Sequence, residues 1–170
     1  MSFWWFRTAP PVVEYALDED LPKLAEIHAK SFAHDWDAEE LARLKAQPGV
    51  SVSVARRASP YGTRNLLGFL ILRQAADEAE VITIAVDPRY RGRGVARKLM
   101  KDGMFRLYGD RCASLFLEVD AANEPALQLY KALGFRQVGE RKGVAHAARL
   151  AGWMMLGRGE KDLRRVNELL

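Results

Sequence analysis

The chain has 170 residues, 49% of them hydrophobic and 28% charged, a composition typical of one soluble globular domain with a single core. The formal net charge of +4 suits an anionic ligand or surface, but it does not by itself indicate nucleic-acid binding. The single cysteine, Cys112, excludes an intramolecular disulfide and a multi-cysteine metal site and is compatible with a reducing cytoplasm. Because His28, His34 and His146 lack ligand spacing, no metal site is predicted.

The chain opens with four consecutive aromatic residues in the stretch MSFWWFR. This apolar run is much shorter than the core of a signal peptide, and Arg7, Pro10 and Pro11 close it. We therefore expect a cytoplasmic protein without a membrane anchor. We interpret residues 1–11 as an aromatic flap packed on the domain, although an exposed aromatic cluster is also typical of a partner site.

The next segments alternate between strand and helix patterns. VVEYAL at 12–17 is typical of a strand, and the following DEDLPKLAEIHAKSF has apolar residues close to helical spacing, Phe32 included, behind an acidic start. A second, short helix is predicted from residue 38 to about residue 46, where Pro48 and Gly49 end it.

A hairpin and a further strand are predicted in the middle of the chain. VSVSVARR at 50–57 alternates valine with polar residues, and the turn SPYGTRN separates it from the apolar run LLGFLIL at 66–72. EAEVITIAV at 78–86 is a strand pattern that ends at Asp87 and Pro88, because proline has no N–H for the ladder.

The pattern changes to helical spacing at Gly94 and predicts an amphipathic helix. Gly103 within it costs about 1 kcal/mol relative to alanine, which indicates close packing at that point. SLFLEV at 114–119 is the next predicted strand, and the helix after it has Pro125 in its first turn and Gly134 as its stop.

The last part of the chain contains two strand candidates, FRQVGER and GWMMLGR, and an amphipathic tail at 159–170. No repeat, low-complexity tract or linker divides the sequence. We therefore predict a single domain over residues 1–170.

The segment RYRGRGVARKLM connects the strand that ends at residue 86 to the helix from residue 94. The first amides of a helix lack intrahelical acceptors and lie at the positive end of its dipole. Glycines at 92 and 94 remove the Cβ atoms that would hold a phosphate away, and Arg91 and Arg93 add charge-assisted contacts. The loop is thus predicted to bind an anion.

Two common phosphate motifs do not fit this loop. GRGVAR lacks the third glycine or alanine of the dinucleotide fingerprint, and no G-x-x-x-x-G-K-[ST] occurs in the chain. A glycine-arginine loop on its own is also compatible with a solvated helix cap. The surrounding sequence is needed to distinguish this cap from an anion site.

That surrounding sequence carries a resemblance. VITIAVDPRYRGRGVARKLM followed by LFLEVDAANEPALQLYKALGF, over residues 81–136, resembles the acetyl-coenzyme A core of the GNAT N-acetyltransferases, and Arg91-x-x-Gly94-x-Ala96 matches their [Q/R]-x-x-G-x-[G/A] loop. IAVDP, LEV and N-x-x-A-x-x-L-Y-x-x-L-G-F are most similar to the bacterial ribosomal-protein alanine N-acetyltransferases. The resemblance implies an α/β GNAT fold, in which a twisted mixed sheet of six to seven strands, flanked by about four helices, splays open after its fourth strand.

The resemblance also implies how acetyl-coenzyme A is held. Backbone groups of Ile84, Ala85 and Val86 would follow the pantetheine arm, and Asn123 matches a position that contacts it. A splayed strand edge has unpaired N–H and C=O groups, with which pantetheine can pair like an added strand, and the Val86 amide can polarise the thioester carbonyl. The amides implied to surround the pyrophosphate are those of Arg91, Gly92, Arg93, Gly94, Val95 and Ala96.

Acyl transfer to an amine requires a neutral nucleophile, stabilisation of the oxyanion and a proton for the leaving thiolate. By the resemblance, Glu118 is the base, acting directly or through a water, and Tyr130 is the general acid. Each alone has an ordinary structural alternative, since a strand-end glutamate is often solvated and a helical tyrosine is often a core residue. Cys112 lies outside the pattern, so direct transfer without an acyl-enzyme is expected.

The acceptor is less well specified. Ribosomal-protein alanine N-acetyltransferases have a tyrosine between their last two strands, whereas this chain has no tyrosine after residue 130. The basic residues there meet an acidic acceptor or are simply solvated; they are Arg141, Lys142, His146 and Arg149.

We therefore predict an acetyl-coenzyme A-dependent N-acetyltransferase, a monomer or homodimer, whose leading acceptor is a protein N-terminus such as that of a ribosomal protein. A small amine, either a polyamine or an aminoglycoside, is the alternative within the same enzyme class. A non-catalytic module that binds RNA or an acyl-coenzyme A is the alternative from another class. Neither DNA nor a membrane is an expected partner.

Overall fold

The computed structural model describes residues 10–33, 35–57, 65–120, 122–142 and 149–156, the last range and residues 138–142 by their backbone. Residues 1–9 of the expected flap, the expected tail at 159–170, and the two histidines at 34 and 146 lie outside the described residues.

Seven strands and four α-helices are formed by the described residues. In chain order they are β1 (Val12–Tyr15), α1 (Leu21–Ala29), α2 (Ala38–Lys45), β2 (Val50–Arg57), β3 (Asn65–Ala75), β4 (Glu78–Val86), α3 (Val95–Gly109), β5 (Ser114–Asp120), α4 (Glu124–Ala132), β6 (Arg136–Lys142) and β7 (Arg149–Leu156). The strands form one mixed sheet in the order β1-β2-β3-β4-β5-β7-β6. The predicted α/β architecture is confirmed.

Most predicted elements are confirmed with small shifts at their ends, including the antiparallel β2–β3 hairpin. The predicted first helix was too long, because α1 ends at Ala29 and leaves Phe32 outside it, 42% exposed. The hydroxyl of Ser31 donates to the carbonyl of Ile27 at 3.0 Å, and such a local side-chain bond competes with continuation of a helix.

The core lies on both faces of the sheet. On one face β3 and β5 pack against α3 and α4, and on the other β2 and β3 pack against α1 and α2. None of the described helices combines the length and the apolar character that a membrane span needs.

Gly103 lies where α3 approaches the sheet most closely. A Cβ atom at this position would lie 2.8 Å from Leu70 Cδ2 and 3.1 Å from Leu72 Cδ1. The close packing that the sequence indicated is therefore present, and it explains a glycine in the middle of a helix.

We expect Gly103→Val to lower the free energy of unfolding by about 1–3 kcal/mol, because the added carbons overpack the contact with β3. Urea unfolding measures the change. Gly109→Val, at the end of the same helix, is the matched control, since a Cβ there would meet nothing within 4 Å. Equal stability of the two variants would contradict the close-packing explanation.

The sheet divides between β4 and β5. These strands pair in parallel over three positions, residues 78–80 with residues 114–116. Beyond them, residues 81 and 83–86 pair with β3 and residues 117–120 pair with β7, so a cleft opens between the two halves of the sheet. The splayed sheet implied by the resemblance is present in the described strands.

A bulge in β4 lies next to the point where the two strands separate. Ile71 of β3 lies opposite Thr83, whereas its neighbour Leu72 lies opposite Val81, so Ile82 is an extra residue on β4. A bulge bends its strand and increases the local twist. We attribute the separation of β4 from β5 to this bend, which sequence reasoning missed.

Candidate active site

The edge of β4 that faces the cleft carries open backbone groups. The amide of Asp87 donates to the carbonyl of Leu67 on β3 at 2.8 Å. Because successive residues of a strand direct their backbone groups to opposite edges, Val86 and Ile84 direct their N–H and C=O groups towards the cleft. Ala85 lies opposite Phe69 and directs its own groups to β3. Of the three predicted strand contacts, two thus have backbone groups available for an extended ligand.

The glycine-arginine loop lies between β4 and α3. Gly92 and Gly94 have φ angles of +72° and +80°, in the left-handed region that favours glycine. Gly94 is the N-cap of α3, and no side chain caps that end of the helix. A Cβ atom at either glycine would meet nothing within 4 Å, so the space beside these residues is open. This geometry fits a phosphate group bound at the N-terminus of a long helix.

Three arginines surround Tyr90 at the rim of this loop. The guanidinium carbons of Arg57, Arg89 and Arg93 lie 5.7, 5.4 and 5.8 Å from the centre of its ring. Arg89 also binds the fully buried carboxylate of Asp87 at 2.9 Å and lowers the pKa of that group to about 2. Arg57 and Arg93 add positive charge beside the same ring, which suits an anionic ligand.

The side chain of Arg91 makes contacts that sequence reasoning did not predict. Its Nε donates to the carbonyl of Val86 at 3.3 Å, and its Nη2 donates to the hydroxyl of Ser31 at 3.1 Å. The remaining residues predicted to surround a pyrophosphate are in the first turn of α3, where Val95 is buried and Ala96 is half-buried.

Glu118 lies in the part of β5 that has separated from β4, opposite Gly152 of β7. Its neighbours Leu117 and Val119 are buried in the core cluster beneath α3 and α4. Because side chains alternate along a strand, the exposed Glu118 lies on the other face of the sheet, the face of α1 and α2. The predicted base is therefore accessible from that side of the cleft.

Tyr130 lies on α4 and is 5% exposed. Its ring centre is 5.7 Å from that of Phe135, with the rings tilted by 59°. Burial raises the pKa of its hydroxyl to about 12, so the proton stays on this oxygen at neutral pH. The residue is a core side chain that keeps its proton at neutral pH, and its role as a general acid stays a prediction.

Asn123 begins α4 and has a structural role. It is the N-cap, and its Oδ1 accepts from the amide of Ala126 at 3.3 Å. Pro125 lies in the first turn and Gly134, with a φ of +91°, follows the helix, as predicted. The side-chain nitrogen of Asn123 takes no part in the cap, so the cap is compatible with the predicted pantetheine contact.

Cys112 and His28 have structural surroundings. The Cys112 thiol lies 3.3 Å from the carbonyls of Asp77 and Ser114, and burial raises its pKa, so the thiolate is disfavoured. His28 is buried and stacks on Trp36, whose amide donates to its Nδ1 at 3.1 Å. The part of the chain that the structure describes contains no group of three potential ligands suited to a metal ion.

Comparison with known proteins also indicates an acetyltransferase. The profile of the Acetyltransferase (GNAT) family matches residues 21–135. The N-alpha-acetyltransferase RimI of Mycobacterium tuberculosis is 34% identical over 140 residues, which cover 79% of this chain and 84% of that protein. The [ribosomal protein bS18]-alanine N-acetyltransferase of Escherichia coli K12 is 29% identical over 123 residues, covering 72% and 79% respectively.

Solved structures show the same fold. The ribosomal-protein-S18-alanine N-acetyltransferase from Escherichia coli aligns with a TM-score of 0.75 at 25% identity, covering 88% of this chain and 97% of that one. Arabidopsis thaliana NAA60 in complex with acetyl-CoA aligns with a TM-score of 0.76 at 22% identity, covering 88% and 99%.

Proposed function

The chain belongs to the acetyltransferase (GNAT) family, and from this membership we propose that it transfers an acetyl group from acetyl-coenzyme A to the N-terminal amine of a protein. The observation that carries the proposal is the open backbone edge of β4, which leads directly to the uncapped N-terminus of α3. The acceptor class is supported by the relatives named as an N-alpha-acetyltransferase and as ribosomal protein bS18-alanine N-acetyltransferases.

Three features of the described residues support binding of acetyl-coenzyme A in the cleft. The cleft-facing N–H and C=O groups of Ile84 would pair with the amides of the pantetheine arm, and the open N–H of Val86 lies further along the same edge. The amides of residues 91–96, with Gly92 and Gly94 in left-handed conformation, would bind the pyrophosphate. Arg93 supplies positive charge at the rim of the same loop.

We assign the chemistry to three groups of the chain. Glu118 takes the proton of the attacking amine, directly or through a water, because a protonated amine has no lone pair for attack. The Val86 amide donates to the oxygen on which negative charge develops. Tyr130 delivers its proton to the leaving sulfur. Transfer is direct, and the half-buried Cys112 thiol takes no part in it.

We expect Glu118→Gln to lower kcat/KM by about 10- to 100-fold at neutral pH and by less at high pH. The α-amino group of an acceptor has a pKa of about 8, so above about pH 9 much of it is neutral without a base. A pH profile of kcat/KM with an alanine-initiated peptide measures this. Glu124→Gln, an exposed carboxylate at the start of α4, is the control. Parallel profiles for wild type and Glu118→Gln would remove Glu118 from the role of base.

An acceptor screen tests the proposed substrate class. Short peptides with different first residues are compared with a polyamine and an aminoglycoside at equal concentration, by release of free thiol from acetyl-coenzyme A. A preference for peptides supports the proposal, and a preference for a free amine overturns its acceptor. Salt-sensitive RNA binding, with no turnover of any amine, would instead favour a non-catalytic module.

A further inference from the structure

The side chain of Arg91 joins parts of the molecule that are far apart in sequence. Its two hydrogen bonds reach the carbonyl of Val86 at the end of β4 and the hydroxyl of Ser31, two residues beyond α1. The Ser31 hydroxyl itself donates to Ile27 in the last turn of α1. The hydroxyl therefore accepts from Arg91 while it is anchored to the helix.

These contacts bridge the two faces of the sheet. The Arg91 backbone belongs to the loop that leads into α3 on one face, whereas α1 and the exposed Glu118 lie on the other. The Arg91 side chain extends past the end of β4 from the first face to the second. A guanidinium can hold two acceptors in a fixed fork, which a lysine ammonium on its flexible stem does less well.

The hydrogen bond from Arg91 to Val86 changes which backbone group of this residue can bind a ligand in the cleft. Both backbone groups of this residue face the cleft, but its carbonyl already accepts from Arg91. The open group at this position is therefore the N–H, with a positive charge beside it. That combination suits an oxygen that becomes negative and disfavours a second donor.

We propose that Arg91 and Ser31 are positioning residues that couple occupation of the acetyl-coenzyme A loop to the end of α1, on the side of the cleft where the acceptor amine reaches Glu118. The inference rests on the proposed function for the identity of the two ligands. A ligand that fixes the Arg91 backbone also fixes the Arg91 guanidinium. The hydrogen bond from this guanidinium to Ser31 then stabilises the end of α1. Because coupling between binding sites is reciprocal, an acceptor bound there strengthens binding of acetyl-coenzyme A.

Hydrogen–deuterium exchange of the purified protein, with and without coenzyme A, tests this link. In the wild type we expect coenzyme A to slow exchange at residues 91–96 and also at residues 28–33. In Ser31→Ala the first protection remains and the second is lost. Because the variant loses the bonds of the hydroxyl to both Arg91 and Ile27, exchange at 28–33 is expected to be at least about 2- to 10-fold faster, the effect of one net hydrogen bond. Ser31→Thr keeps the hydroxyl and is expected to show protection of both regions. Arg73→Lys, whose guanidinium binds Glu80 and Gln47, is the control.

The outcomes separate the inference from the proposed function. Equal protection of residues 28–33 in wild type and Ser31→Ala would overturn the coupling while acetyl-coenzyme A binding stands. Absence of protection at residues 91–96 in the wild type would overturn the proposed function, and the ligand-mediated coupling with it.

Discussion

Gly94→Glu is expected to weaken acetyl-coenzyme A binding by at least about 100-fold, because two effects act together. A side chain at a φ of +80° strains the backbone by about 1–2 kcal/mol. A carboxylate at the uncapped N-terminus of α3 also occupies the space in front of the amides and repels a pyrophosphate. Calorimetric titration with acetyl-coenzyme A measures the affinity.

Two further variants separate the causes of that loss. Gly109→Glu places the same charge at the other end of the same helix, where a Cβ meets nothing within 4 Å, and is expected to bind like the wild type. Gly94→Ala carries the backbone strain without the charge and is expected to lose less affinity than Gly94→Glu. Wild-type affinity in Gly94→Glu would show that the loop does not hold the pyrophosphate.

Tyr130→Phe is expected to lower kcat by about 10²- to 10³-fold, the usual contribution of a positioned general acid. The affinity for acetyl-coenzyme A should change little, because phenylalanine keeps the ring in the core beside Phe135. Steady-state kinetics combined with calorimetry separates the two quantities. Tyr108→Phe, the same change at a side chain that is 54% exposed on α3, is the control.

The raised pKa of Tyr130 adds an expectation for the pH profile. The hydroxyl loses its proton at about pH 12 rather than at the ordinary value of about 10, so the acid form persists through neutral and moderately alkaline conditions. Deprotonation of Tyr130 should therefore not lower turnover below about pH 10. An unchanged kcat in Tyr130→Phe would leave this residue with its packing role alone.

The placement of the two predicted acid–base residues agrees with a ligand that passes through the sheet. Glu118 is exposed on the face of α1 and α2, whereas Tyr130 is buried with the core of α3 and α4. The cleft between β4 and β5 lies between these faces. A base on one side and an acid on the other suit an amine and a thiol that occupy opposite sides of the same carbonyl.

Sequence reasoning was most successful where the physical cause is local. Alternating valines predicted β2, the change of period predicted α3, and Pro125 and Gly134 marked the two ends of α4. The glycines at 92 and 94 were singled out because they lack Cβ atoms, and the structure adds that both are left-handed. The resemblance over residues 81–136 then led to the GNAT family, which the comparisons show.

Sequence reasoning was weaker where a role depends on side-chain surroundings. Asn123 was assigned to the ligand, yet the structure also makes it the cap of α4. Arg91 was assigned through its backbone, yet its guanidinium binds Val86 and Ser31. Ser31, the partner of Arg91, lies sixty positions away and outside the motif, whereas the cap formed by Asn123 is a local contact with Ala126 that the resemblance did not consider.

The sequence by itself therefore determined the order of the elements, the glycine loop and the family of this protein, because periodicity, caps and turns depend on residues within a few positions of one another. The tertiary structure alone decided where the cleft opens, through the extra residue Ile82 in the β3–β4 register. It alone decided that β7 lies between β5 and β6, and that Arg91 meets a serine sixty positions away. Such contacts depend on how distant strands and helices pack, and no local pattern encodes them.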